Sequence, residues 1–198
     1  MRNLYNEFMA ENKLKVSSSK YWLNFVWEIL KIVIISLAII IPIRYFLIQP
    51  FFVKGASMEP SYLDGDYLII DEISYRFEKP ERGDVVIFRY PLDPSQFFIK
   101  RIIGLPGETV EIKDGKVFIY NQEVPDKKIA LDESAYLDDV YTQGNLEITL
   151  KADEYFVLGD NRRASSDSRK WGAVPKKNIL GQTWLRAWPV SRLGVLGD

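Results

Sequence analysis

The chain has 198 residues, 47% of them hydrophobic and 14% aromatic, with 26 basic and 27 acidic side chains, no cysteine and no histidine. The two missing residue types exclude a Ser-His-Asp triad, imidazole acid–base chemistry, a thiol nucleophile, disulfides and cysteine-based zinc sites, so any catalytic proton must move through Lys, Asp, Glu or Tyr. A formal net charge of −1 gives no sign of a general nucleic-acid binder, and the length allows one domain or two small ones.

Residues 1–28 form an N-terminal segment of mixed charge. Residues 29–48, ILKIVIISLAIIIPIRYFLI, supply the run of about 20 apolar residues that crosses a bilayer as a helix. The run is apolar all round, where a buried core helix would carry a stripe. Lys31 and Arg44 stand near its ends, where they can snorkel, and Trp22, Trp27, Tyr45 and Phe46 flank it as interfacial residues do. A cleavable signal peptide is the alternative, but the preceding segment is long and no small-x-small site follows the run. The segment reads as an uncleaved anchor. Arg2, Lys13, Lys15, Lys20 and Lys31 precede or open it, accompanied by Glu7, Glu11 and Glu28; Arg44 and Lys54 come just after it, then Glu59, Asp64, Asp66, Asp71 and Glu72. That asymmetry predicts a cytoplasmic N-terminus and an extracytoplasmic remainder, residues 50–198.

This remainder reads as mostly antiparallel β. Strands are predicted at 67–70, 85–88, 97–103, 110–112, 117–120, 146–150, 155–158 and 179–185, where β-branched and aromatic residues cluster between Gly and Pro. Asp114-Gly115 between two of them is a hairpin signal. No βαβ alternation appears. Residues 113–150, with a polar and turn-rich stretch, read as a smaller β excursion from the main sheet.

Three segments carry candidate chemistry. In the first, Ser57 follows Gly55 and Ala56, small neighbours that let a substrate and backbone N–H groups approach its hydroxyl; a plain turn serine has the same surroundings. In the second, alternation along 97–103 places Phe98, Lys100 and Ile102 on one face and Arg101 on the other. A lysine among apolar neighbours is desolvated and pushed toward the neutral form, although edge-strand lysines also serve to block aggregation. The third is the polar loop 159–172, where alternation from Ser165 puts Asp167 and Arg169 within reach of each other. Together, with no histidine or cysteine in the chain, the three permit a Ser-Lys dyad.

Four stretches, in this order behind an anchor, resemble the conserved boxes of bacterial type I signal peptidases. They are Ser57-Met-Glu-Pro-Ser-Tyr-Leu-Asp-Gly-Asp66, Arg82-Gly-Asp-Val-Val-Ile-Phe88, Lys100-Arg-Ile-Ile-Gly-Leu-Pro-Gly-Glu108, and Gly159-Asp-Asn-Arg162 with Ser165, Asp167, Ser168 and Arg169. The resemblance spans almost the whole chain. It implies a membrane-bound serine endopeptidase of the cytoplasmic membrane that removes signal peptides from exported preproteins after small-x-small sites. The implied fold is a β catalytic domain with a smaller β subdomain. By matching positions, Ser57 is the implied nucleophile and Lys100 its general base. Ser165 is implied to orient the Lys100 amine by a hydrogen bond, Asp167 and Arg169 to hold the last loop, and Asp160 to pair with Arg101. Met58 is expected on position alone to touch substrate. Some members carry Ser or Thr two residues before the nucleophile as an oxyanion donor; here that residue is Gly55, which leaves the Ser57 N–H and other backbone donors. No metal or organic cofactor is expected; the expected partners are preprotein signal peptides and the lipid bilayer, without nucleic acid.

Two other classes are compatible with parts of the pattern. A membrane-anchored β domain that only binds an exported partner explains the anchor and strands but not the ordered boxes. A self-cleaving Ser-Lys protease of the repressor type shares the dyad but carries a DNA-binding helical module in place of an anchor.

Overall fold

In the computed structural model of the protein, residues 20–41, 48–121, 128–138 and 141–196 are described. The chain divides into two compact units, residues 1–45 and 46–198. In the first, helix α1 (Lys20–Ile41) is long and apolar enough to cross a membrane, and its side chains are exposed on all sides. At 1.5 Å per residue its 22 residues extend about 33 Å, enough for a hydrocarbon core of about 30 Å. The helix starts earlier than the apolar run at 29, because Tyr21, Trp22, Leu23, Phe25 and Trp27 extend its apolar surface toward the N-terminus. Pro42, Arg44, Tyr45 and Phe46 of the expected anchor lie outside the described residues. Ile48, the last residue of that run, already belongs to a strand.

The second unit is mostly antiparallel β. Its main sheet has eight strands in the described residues. Along its path run β1 (Ile48–Phe52), β2 (Tyr67–Asp71), β11 (Ile179–Trp188), β3 (Val85–Tyr90), β4 (Asp93–Gly104), β9 (Glu154–Leu158) and β10 (Val174–Pro175), with β12 (Gly194–Val195) pairing β11. The smaller sheet has the order β7 (Ile129–Ala130), β6 (Lys116–Tyr120), β5 (Thr109–Lys113), β8 (Leu146–Thr149). It corresponds to the predicted excursion. The β5–β6 turn is a two-residue hairpin in which Asp114 and Gly115 have φ of 51° and 80°, as a type I′ turn requires. Two one-turn helices, α2 (Ser74–Phe77) and α3 (Ser168–Trp171), complete the unit.

Strand β4 organises the interior, because its C-terminal half is buried on both faces. Ile102 packs with Val86, Phe88, Tyr155, Val157 and Val174 on one side. Ile103 packs with Val110, Ile112, Val117, Leu150, Phe156 and Leu158 on the other, which joins the small sheet to the main one. Two-residue periodicity then carries Lys100 to the Ile102 side and Arg101 to the Ile103 side. A third cluster, Val53, Met58, Tyr62, Leu68 and Val85, underlies the loop between β1 and β2.

Gly104 ends β4 where the two sheets meet. A Cβ there would run into the side chains of Val110, Leu150 and Phe156. Gly104→Ala is therefore expected to lose about 1–3 kcal/mol of stability through overpacking, read as a lower denaturant midpoint with an unchanged slope; an unchanged midpoint would show that the junction can yield.

Candidate active site

Ser57 sits in the loop between β1 and β2, which closes on itself. The Val53 N–H donates to the Asp66 carbonyl at 2.9 Å and the Gly65 N–H to the Val53 carbonyl at 3.0 Å. The Gly55 N–H donates to the Asp64 carboxylate at 2.6 Å, and Gly55 has φ +84°, a conformation that favours glycine. Asp66 is buried and ion-paired with Arg186 at 3.0 Å and Arg192 at 3.1 Å. Arg186 also donates to the Ser61 carbonyl, at 2.6 Å. The Ser57 loop is thus bolted to β11 and the C-terminal segment.

The Lys100 amine, from β4, donates to Ser57 Oγ at 2.7 Å and to the Ile99 carbonyl at 2.7 Å. Lys100 is 4% exposed. Burial lowers its pKa to about 8, opposed by the carboxylates of Asp167 and Asp160. A lysine at its ordinary value is neutral about four times in ten thousand at pH 7; at 8 the fraction is about one in ten. The amine also lies 5.6 Å from the centre of the Phe98 ring.

The loop after β9 completes the site. The Asn161 N–H donates to the Ser57 carbonyl at 3.1 Å, and a Cβ on Gly159 would strike Ser165 Oγ and the Ser57 carbonyl oxygen, so this loop and Ser57 are in tight contact. Arg101, on the opposite face from Lys100, makes two bonds to Asp160, at 2.9 and 2.7 Å. Arg169 makes two bonds to Asp167, at 2.8 Å each. This second pair arises differently from the strand alternation expected: Asp167 caps α3 by accepting from the Arg169 N–H, and the short helix brings the guanidinium back. Burial pushes the Asp167 carboxyl up, but the Arg169 guanidinium, the Ser165 hydroxyl and the Gly159 N–H outweigh it and hold the carboxyl below its ordinary value.

A cleft of about 420 Å³ opens onto Ser57 and Lys100. Its walls include Phe51, Phe52, Val53, Ile87, Phe97, Ile99, Ala164 and Ser166. Two strand edges without partners among the described residues border it. One is the outer edge of β1; the other is the first half of β4, because β9 pairs only with its second half, from Arg101. Phe51 and Phe97, one from each edge, meet with ring centres 5.5 Å apart. Within the described residues the backbone N–H of Ser57 donates no hydrogen bond and no cluster of metal-binding side chains occurs.

The family profile described as "Signal peptidase, peptidase S26" matches residues 26–188. The chain belongs to this family. A probable signal peptidase I-2 of Synechocystis sp. is 37% identical over 96% of this chain and 87% of its own length. A signal peptidase I of Leptolyngbya laminosa is 39% identical over 86% and 83%, and that of Pseudomonas aeruginosa 30% over 81% and 72%.

In this S26 family chain the sequence-derived site residues are brought together with two departures. Met58 does not line the cleft. It is fully buried among Val53, Tyr62, Leu68 and Val85, because the turn after Ser57 points its side chain into the core. Ser165 is buried beside Gly159, but the hydrogen bonds of the Lys100 amine go to Ser57 Oγ and the Ile99 carbonyl and not to the Ser165 hydroxyl. The sequence reading missed the ties of Asp66 to Arg186 and Arg192, which join residues far apart in the chain and leave no local spacing signal.

The lowered pKa has a consequence for stability. The folded value is about 8 and the ordinary value 10.5, so between them the unfolded chain binds more protons and stability rises with pH. Lys100→Met is expected to be more stable than wild type at pH 7, by up to about 3 kcal/mol at about 1.4 kcal/mol per unit. The advantage should shrink between pH 8 and 10.5 in paired denaturant titrations; a constant difference would mean that the amine is not desolvated.

Proposed function

We propose that this chain is a membrane-bound serine endopeptidase that removes N-terminal signal peptides from exported preproteins, cleaving after small-x-small sites with a Ser57–Lys100 dyad. The observation that carries this reading is the 2.7 Å contact between a buried amine and the Ser57 hydroxyl, at the floor of an open cleft. Neutral Lys100 takes the hydroxyl proton as Ser57 Oγ attacks the scissile carbonyl. The ammonium then protonates the leaving amine, and water repeats the sequence on the acyl-enzyme. The Ser57 N–H, with no competing bond, supplies one donor to the oxyanion. Asp160, Arg101, Asp167 and Arg169 hold the dyad in place, with Ser165 packed beside Gly159.

Substrate enters as an added strand between the two open edges, a mode in which main-chain bonds give affinity and alternate side chains give specificity. Ala56, Ala164 and Ser166 beside Phe51, Phe97 and Ile99 favour shallow recesses that admit small side chains and exclude bulk. Helix α1 anchors the chain, with its N-terminus cytoplasmic by the positive-inside rule, and tethering raises the effective concentration of enzyme where signal peptides emerge. Exposed Trp184, Trp188, Val190 and Leu193 favour lipid contact by the peptidase unit as well.

Detergent-solubilised wild type is expected to cleave a preprotein at its small-x-small site, while Ser57→Ala and Lys100→Arg lose on the order of 10³-fold or more in kcat/KM. Cleavage by Lys100→Arg at near wild-type rate would refute the dyad, since a guanidinium stays protonated. The base must be neutral, so kcat/KM should rise tenfold per pH unit below about 8 and level off above it. A flat profile from pH 6 to 9 would contradict a lysine base.

A further inference from the structure

The four boxes leave unexplained a group of residues in the small-sheet excursion, between β7 and β8. We infer that Glu133 and Tyr136 are positioning residues for the Ser57–Lys100 pair, acting on the catalytic loop through Arg162 and Arg101. The inference rests on the peptidase reading above and adds to it the part played by the excursion.

Arg162 is the starting point. Its side chain is completely buried, and a buried guanidinium requires a counter-ion and a full set of acceptors. Glu133 provides the counter-ion, with one oxygen on Nη2 and the other on Nη1 at 3.1 Å. Thr142 Oγ1 accepts from Nη1 at 2.6 Å, also from the excursion. A fourth N–H, on Nε, reaches the Gly159 carbonyl at 3.0 Å. A carboxylate from the segment between β7 and β8 therefore fixes a guanidinium whose far side holds the backbone of the catalytic loop.

Tyr136 ties the same carboxylate to the other end of the site. Its hydroxyl donates to Glu133 Oε1 at 2.8 Å, and the Arg101 guanidinium carbon lies over its ring, 4.0 Å from the ring centre. Arg101 in turn grips Asp160 with two bonds and the Gly83 carbonyl with a third at 2.8 Å. The segment Gly159–Arg162 is held at Gly159 and Arg162 by Glu133, and at Asp160 by the Tyr136–Arg101 stack. That segment touches the reacting residue directly. The Asn161 N–H bonds the Ser57 carbonyl, and Gly159 packs so closely on Ser57 and Ser165 that a single methyl has no room. A shift of the loop is a shift of the nucleophile.

A misplacement of about 1 Å costs roughly a hundredfold in rate. Glu133→Gln keeps the shape but leaves the Arg162 charge unbalanced, so kcat toward a synthetic peptide spanning a small-x-small site should fall about tenfold or more with KM within about twofold. Circular dichroism at the assay temperature checks that the variant is folded. The double variant Glu133→Leu with Arg162→Met removes both charges and separates positioning from mere stability, because apolar replacement of a buried pair often restores stability. Positioning predicts recovered melting temperature without recovered kcat, since the Gly159 carbonyl has still lost its donor. Recovery of both together, or wild-type kcat in folded Glu133→Gln, would overturn the inference. Should Glu133→Gln melt below the assay temperature, Tyr136→Phe decides. It deletes one hydroxyl and keeps the stacked ring, so kcat reduced about threefold at unchanged KM supports positioning, and unchanged kcat refutes it. A wild-type protein that fails to cleave any such peptide refutes the peptidase reading itself, a result distinct from equal activity of wild type and variants.

Discussion

The Lys100 amine is taken out of water and set 2.7 Å from the Ser57 hydroxyl, and the rest of the peptidase unit is arranged to make that tolerable. A buried ammonium is costly, and the cheapest relief is loss of its proton. Asp160 and Asp167 lie near enough to oppose that loss, but each is already engaged by an arginine, Arg101 and Arg169. Their negative charge is thereby largely spent. If either carboxylate were unpaired, the Lys100 ammonium would find a ready counter-ion and the amine would be a poor base.

This arrangement depends on the strand on which Lys100 lies. β4 is buried on both faces through Ile102 and Ile103, so its register cannot slip without turning Lys100 outward. Its first half, by contrast, keeps an edge free of β9 and faces the cleft. One strand supplies rigidity where Lys100 is held and an unpaired edge where it borders the cleft. Unpaired edges are hazards in most proteins; here the curl of the sheet brings Phe51 against Phe97 and narrows the opening to a cleft.

Much of this was legible in the sequence. Alternation through Phe98, Lys100 and Ile102 named the face of the base, Asp114-Gly115 named the hairpin, and the mostly antiparallel β architecture followed from strands without intervening helices. What was not legible has physical reasons. Strand β1 was hidden because Ile-Gln-Pro-Phe-Phe runs on from an apolar anchor and carries a proline. Met58 was misplaced because adjacency to a nucleophile says nothing of which way a turn directs a side chain. The Asp167–Arg169 pair was expected from strand periodicity and is made by a helix cap. Glu133, Arg162, Asp66 and Arg186 act across long sequence separations, and a charge in a polar stretch gives no hint that it is destined for burial.

Whether Lys100 can act as a base turns on the protonation of its amine in the resting protein. The direct measurement is an NMR titration of the Lys100 side chain in Ser57→Ala, with its resonance assigned by its absence from Lys100→Met. Desolvation predicts a midpoint near 8, and a midpoint at the ordinary lysine value of about 10.4 would contradict the claim that burial has made Lys100 a base.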